Sequence, residues 1–259
     1  MKADLHNHTP LCKHAEGKME QYIEHAIKCK TKFFGICDHA PMDFDKKYRM
    51  SFSDMKDYEN EVLRNKNIYK EKIEILLGYE VDYLPGYMDA RVLKADVDYL
   101  IGSVHFIDGW GFDNPEFIGN YKTQNIDEIW QKYFDTIEEM AKSKLFDIVG
   151  HLDLIKVFKY MPKKDIALIA KNALEAIKKA DMVVELNVAG YRKPVKEAYP
   201  SPSLLKEIFK MGIPISFASD AHKPEQVGLF NDEIEKMAKE IGYTKCAVFR
   251  KRRREMINF

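Results

Sequence analysis

Residues 4–17 read DLHNHTPLCKHAEG, so three of the chain's eight histidines and an aspartate fall within fourteen positions. The run Lys2–Asn7 is short and β-prone, and side chains two apart on a strand share a face. Asp4, His6 and His8 can therefore address one point, with His14 in the loop just behind. A strand that ends in metal-type side chains is the unit whose repetition decides the fold.

That unit recurs. Strand-like runs are predicted at Lys2–Asn7, Lys32–Asp38, Ile73–Asp82, Val97–His105, Asp147–His151, Met182–Asn187 and Ile213–Ser219. Between and after them lie helix-like stretches: Lys18–Lys30, Ser53–Lys70, Asn125–Lys144, Pro162–Ala180, Ser201–Met211 and Asn231–Ile241. Ser201 followed by Pro202 is a typical helix start. Alternating β and α units imply a parallel sheet with right-handed crossovers. Seven strands in 259 residues fit a closed or nearly closed α/β barrel better than an open sheet. No GxGxxG follows a strand, which argues against dinucleotide binding.

Composition bounds the rest. Hydrophobic residues make up 46 % of the chain, enough for a sizeable core rather than disorder. Forty-one basic and forty-one acidic side chains balance, so overall charge points to neither nucleic acid nor membrane. Cys12, Cys29, Cys37 and Cys246 form no CxxC pair. The start MKADLHNH leaves no room for a signal peptide and no apolar run is of membrane-spanning length, so a cytoplasmic location is expected. With no linker or repeat, residues 1–259 are read as a single domain.

In a parallel barrel the C-terminal strand ends converge on one face, where active sites are built. His6 and His8 end the first predicted strand, His39 follows the second, and Glu80 lies near the end of the third. His105 ends the fourth and His151 the fifth, while Asp220 and His222 follow the seventh. Asp4, Asp38 and Asp153 are placed to orient ligand imidazoles from behind. A single strand-end histidine is commonly just a packed residue, and His25 inside MEQYIEHAIK is read that way. Seven histidines and two carboxylates at matching strand ends are not a packing requirement. Nine donors suit two or three ions with bridging carboxylates, an arrangement that suggests phosphoester hydrolysis.

These residues sit in motifs that resemble the PHP (polymerase and histidinol phosphatase) family. The motifs are DLHNH, CKHAEG, DHAPM, GYEVDYLPGY, GSVHF, GHLDLIK, ELNVAGYRKP and SFASDAHKPEQVG, in order from residue 4 to about 228. HxH and SDAH are general to the family; CKHA, DHAPM and GWGFDNPEF resemble its histidinol-phosphate branch. The resemblance implies a distorted (β/α)7 TIM-like barrel with a trinuclear centre. It assigns His6, His8, Glu80 and Asp220 to a first ion, Glu80, His105 and His151 to a second, and His14, His39 and His222 to a third. The implied reaction is hydrolysis of L-histidinol phosphate to L-histidinol and phosphate, a late step of histidine biosynthesis, by attack of a metal-bridging hydroxide. Roughly six positive charges less about three from Glu80, Asp220 and hydroxide leave a pocket suited to a phosphate dianion. The ions expected are zinc, manganese or iron, since this donor set accepts each.

Around that centre, Glu80 and Asp220 are expected to be catalytic, with Asp220 handling a proton beside the first ion. Arg192 in AGYRKP suits a two-pronged phosphate contact, and Lys156 in HLDLIK a point charge; solvated surface charge is the plain alternative. In IDGWGFDNPEF, residues 107–117, Trp110 or Phe112 would cover the imidazole of histidinol, while Asp113 or Glu116 would pair with its ammonium. The partner is thus a small-molecule phosphate monoester. Alternatives are a nuclease-type phosphodiesterase or another small-molecule phosphatase, and a barrel merely stabilised by metal. The basic run RKRRRE at 250–255 follows a probable strand, CAVF, so alternate residues would point opposite ways rather than form a nucleic-acid patch.

Overall fold

The computed structural model describes residues 1–259. Its strands are β1 (Ala3–Asp4), β2 (Phe33–His39), β3 (Glu74–Asp82), β4 (Tyr99–Ser103), β5 (Phe106–Ile107), β6 (Trp110–Gly111), β7 (Ile148–Val149), β8 (Val183–Asn187), β9 (Ile215–Ala218), β10 (Lys245–Arg250) and β11 (Arg253–Asn258). Seven of these form one parallel sheet in the order β1-β2-β3-β4-β7-β8-β9. They are the seven predicted runs, six of them trimmed and the second shifted one residue onward to end at His39. The chain just past β1 then bonds to β9 and to the loop after β9. Leu5 N donates to Phe217 O (2.9 Å), Asp220 N to His6 O (2.7 Å) and His8 N to Ala221 O (3.0 Å). Those three bonds close the barrel and set His6 and His8 beside Asp220 and His222.

The helices are α1 (Met19–Lys28), α2 (Met55–Tyr69), α3 (Ala90–Leu93), α4 (Ile126–Ser143), α5 (Ile166–Lys179), α6 (Ala189–Arg192), α7 (Pro202–Lys210) and α8 (Asn231–Ile241). Their sequences explain their limits. Asn125 caps α4 by accepting from Asp127 N, Asp165 caps α5 through Ala167 N, and Ser201 caps α7 through Leu204 N. Along α4, Ile129, Tyr133, Ile137 and Met140 recur at helical spacing and are buried. The barrel's own interior is filled by Leu5, Cys37, Leu76, Tyr99, Ile101 and Phe217. Gly35 is required there: an added Cβ would meet Tyr99 Oη at 2.0 Å, and that hydroxyl donates to Leu5 O (2.6 Å).

Two elements were not foreseen. β5 and β6 make a small hairpin that folds residues 106–111 back beside the strand ends. The basic run does not continue as one strand either: Lys251 and Arg252 both adopt positive φ, turning β10 into antiparallel β11. The turn lacks the usual Asn-Gly signal and is held from outside, with Arg252 N on Asp98 O (2.8 Å) and Lys251 N on Asp98 Oδ1 (3.2 Å). Ala247, Val248 and Phe249 of β10 pack into the barrel interior from its N-terminal end. No helix is long and apolar enough to cross a membrane.

Candidate metal centre

Strand ends carry each donor to one place. His39 is the last residue of β2 and Glu80 stands two from the end of β3. His105 and His151 follow β4 and β7, and Asp220 and His222 follow β9. His14 arrives on the loop after the short helical turn Pro10–Cys12. Three groups of ligand atoms converge to within 4.8 Å: His6, His8 and Glu80; Glu80, His105 and His151; His14, His39 and His222. Asp220 Oδ1 joins the first at 3.2 Å from His8 Nε2. All nine predicted donors are thus brought together, and Glu80 belongs to two groups. Cys12 lies against His8 and His222 as well.

The imidazoles are oriented from behind. His6 Nδ1 donates to Glu185 Oε2 (2.8 Å), His8 Nδ1 to Asp38 Oδ1 (3.2 Å) and His105 Nδ1 to Asp82 Oδ1 (2.7 Å). His14 Nδ1 donates to Cys12 O (2.8 Å) and His222 Nδ1 to Asp220 O (3.2 Å). Each rear acceptor places the proton on Nδ1 and leaves Nε2 with a lone pair facing forward. Those lone pairs confront one another: His6 Nε2 is 3.1 Å from His8 Nε2, and His14 Nε2 is 3.0 Å from His222 Nε2. Two lone pairs at that separation are stable only with a proton or a cation between them. His39 Nδ1 sits 2.9 Å from Glu80 Oε2 without hydrogen-bond alignment, and both atoms are buried without a partner. Nitrogen and carboxylate donors in this arrangement fit zinc-like divalent ions.

Charge reinforces the geometry. Burial opposes ionisation of Glu80, yet His39 and His6 hold its carboxyl well below the usual range. Burial likewise opposes ionisation of Asp220, which His6 and His8 hold down. For His8, burial is outweighed by Asp220 and Asp38, which carry it up to about 9. For His105, burial is outweighed by Asp82, which carries it to about 10. Burial takes His39 down to about 4. At neutral pH the metal-free chain therefore carries protons on His8 and His105, whereas burial keeps His14, His39 and His222 neutral.

Not every expectation holds. Asp4 does not back an imidazole: it accepts from Ser219 N (2.9 Å), Ser219 Oγ (2.6 Å) and Asn7 Nδ2 (3.0 Å), one layer below the donors. Asp153 Oδ2 accepts from Ser201 N (2.8 Å) and pairs with Lys156 (3.0 Å), while Asp153 Oδ1 and His151 Nδ1 are both buried without a hydrogen-bond partner. Glu185 and Asp82, unforeseen, take over rear positions. Asp82 was readable, since it lies two residues from Glu80 on the same face of β3. Glu185 showed itself only as a lone carboxylate in the apolar strand VVELN.

A cavity of about 650 Å³ opens over the cluster. Asp113, Glu116 and Arg192 line it. Arg192 Nη2 donates to Ser219 O and Asp220 O, both at 2.8 Å, while its buried Nη1 has no partner. Lys156 does not reach the cavity: its buried ammonium is taken up by Asp153 Oδ2 (3.0 Å), Glu197 Oε2 (2.7 Å) and Ala198 O (2.7 Å). Trp110 and Phe112 do not line it either. Phe112 is fully buried edge-on to Tyr133 and Trp110 packs on Tyr121, because the β5–β6 hairpin turns both inward. Phe106 and Phe117 border the space instead, and Lys47 meets Glu116 across its mouth at 3.7 Å.

Comparison with known proteins agrees with this architecture. The model of the PHP domain matches residues 4–189. A Deinococcus radiodurans protein named "Probable histidinol-phosphatase" is 35 % identical, over 92 % of this chain and 93 % of its own length. The Bacillus subtilis histidinol-phosphatase is 28 % identical over 88 % of this chain and 96 % of its own. In fold, the chain superposes on Lactococcus lactis histidinol phosphate phosphatase, solved with zinc, L-histidinol and phosphate. The TM-score is 0.81 at 21 % identity, covering 98 % of each chain. The family model spans most of the chain and a relative above 30 % identity spans nearly all of it: this protein belongs to the PHP domain family.

Proposed function

We propose that the chain is a metal-dependent phosphomonoesterase that hydrolyses L-histidinol phosphate to L-histidinol and phosphate. The observation that carries this reading is Glu80, shared between two groups of imidazoles beside a third, on the floor of a cavity of small-molecule size. The names of the relatives supply the substrate.

On this reading His6, His8, Glu80 and Asp220 hold one divalent ion, Glu80, His105 and His151 a second, and His14, His39 and His222 a third. Such ions, zinc, manganese or iron, activate water and neutralise charge on phosphoryl oxygens. The chain's own groups do the rest. Asp220, held ionised beside His8 and His222, accepts the proton of the attacking water and returns it to the departing alkoxide. Arg192 offers the free Nη1 to phosphate from a guanidinium fixed on two carbonyls. Asp113 and Glu116 face the substrate's ammonium, and Phe106 and Phe117 give its ring an apolar border.

Phosphate release from histidinol phosphate, an aryl phosphate and an oligonucleotide tests this. Rapid turnover of histidinol phosphate alone is the expected result. Cleavage of the oligonucleotide instead would favour a nuclease, and equal turnover of all three would remove the specificity.

A further inference from the structure

Tyr199 borders the cavity at 1 % exposure, yet its hydroxyl oxygen has no hydrogen-bond partner. Buried phenols ordinarily find one. Everything else about the residue is tied down. Its backbone N and O both bond Asn187, at 2.9 and 2.7 Å. On one side Ala198 O accepts from Lys156 Nζ (2.7 Å), and on the other Ser201 N donates to Asp153 Oδ2 (2.8 Å). The Lys156 ammonium lies 5.3 Å from the centre of the Tyr199 ring. A Cβ at Gly190 would come within 1.9 Å of Glu197 O and 3.0 Å of the ring, so only glycine lets this segment lie against the turn that carries Arg192.

Arg192 Nη1 is likewise a buried donor without a partner at the border of the same cavity. Two fixed, unused donors on neighbouring segments suit an anion with several acceptor oxygens. We propose that Tyr199 is a substrate contact, its hydroxyl donating a hydrogen bond to a phosphoryl oxygen of the monoester beside Arg192. The proposal rests on the phosphomonoesterase reading above. A phenol is protonated at neutral pH, and burial beside Asp153 and Asp220 pushes this one higher still, so the group donates throughout the working range. Lys156 thus serves phosphate recognition from behind, as a positioning residue, instead of touching the anion.

Tyr199→Phe keeps the ring and removes one oxygen; its thermal midpoint and metal content should match the parent. The comparison uses metal-loaded protein with histidinol phosphate, an aryl phosphate and inorganic phosphate as inhibitor. We expect kcat/KM to fall about ten- to a hundredfold for both esters, with phosphate inhibition weakened alike, as for one lost bond to a charged group. Unchanged values throughout would overturn the proposal and leave the hydroxyl to water. Loss on histidinol phosphate alone would also overturn it, placing the hydroxyl on the leaving alcohol. If the parent chain hydrolyses no monoester, the function itself fails; calorimetric phosphate binding to parent and variant then still decides the contact, equal affinity refuting it.

Discussion

The two ends of this barrel use the same types of charged side chain to opposite effect. At the N-terminal end four acids each meet a base. Arg250 forks onto Glu74 (2.6 and 2.8 Å), Lys251 meets Asp96 (2.6 Å), Arg252 pairs with Asp147, and Arg254 grips both oxygens of Asp181 (3.0 Å each). These acids stand at or just before the starts of β3, β4, β7 and β8, so one hairpin clasps four strands. At the C-terminal end donors face donors: imidazole nitrogens stand 3.0 and 3.1 Å apart, and Glu80 Oε2 and His39 Nδ1 are left without partners. Charges that satisfy one another hold a fold together. Groups left waiting for something absent mark where the chemistry belongs.

The largest effect expected from breaking that contrast is at Glu80. Glu80→Gln should abolish phosphate release and lower bound metal, beyond the roughly hundredfold that losing a supporting residue costs. Metal analysis together with turnover checks it, and full metal content with full rate would contradict the sharing of Glu80. Next come the carboxylates behind the imidazoles. Asp82→Asn and Glu185→Gln should each weaken metal affinity or turnover about 10- to 100-fold, with circular dichroism unchanged. Unaltered metal affinity in both would reduce them to packing.

At the opposite end the consequence moves from activity to stability. Arg252→Ala should cost about 1 kcal/mol, seen as a Tm lower by roughly 2–4 °C, with kcat untouched. A loss of turnover without loss of Tm would mean that the two ends are coupled.

The last effect is in pH and is confined to the metal-free chain. His8 and His105 are raised to about 9 and about 10 in the folded, metal-free chain, above an unfolded value of about 6.5. Their stabilisation is complete below about pH 6.5 and is lost as pH rises through 9 and 10. Chelated protein should therefore lose Tm between pH 7 and 10, and metal-loaded protein should not, because coordinated imidazoles carry no such proton. Parallel curves for the two forms would argue against metal at these residues.

The features legible in the sequence rest on period and position. Seven β-prone runs separated by helical pattern point to the barrel, and donors at strand ends point to the cluster, because both depend on local spacing. The features that were not legible depend on contacts between distant segments. The turn at Lys251 and Arg252 is imposed by Asp98, more than 150 residues earlier. Lys156 looked like a free charge until Glu197 and Asp153 came round to saturate it. Trp110 and Phe112 looked like a ring platform, but the β5–β6 hairpin, too short to show in periodicity, turned them into the core.

The central claim is that the converging imidazoles and carboxylates hold the ions that cut a P–O bond. Returning zinc stepwise to chelated protein, while measuring both bound metal and phosphate released from histidinol phosphate, tests it directly. Activity should be absent at first and rise with occupancy to a plateau near about three ions per chain, as nine donors allow. Full turnover in the chelated protein, or no bound metal at saturating zinc, would contradict it.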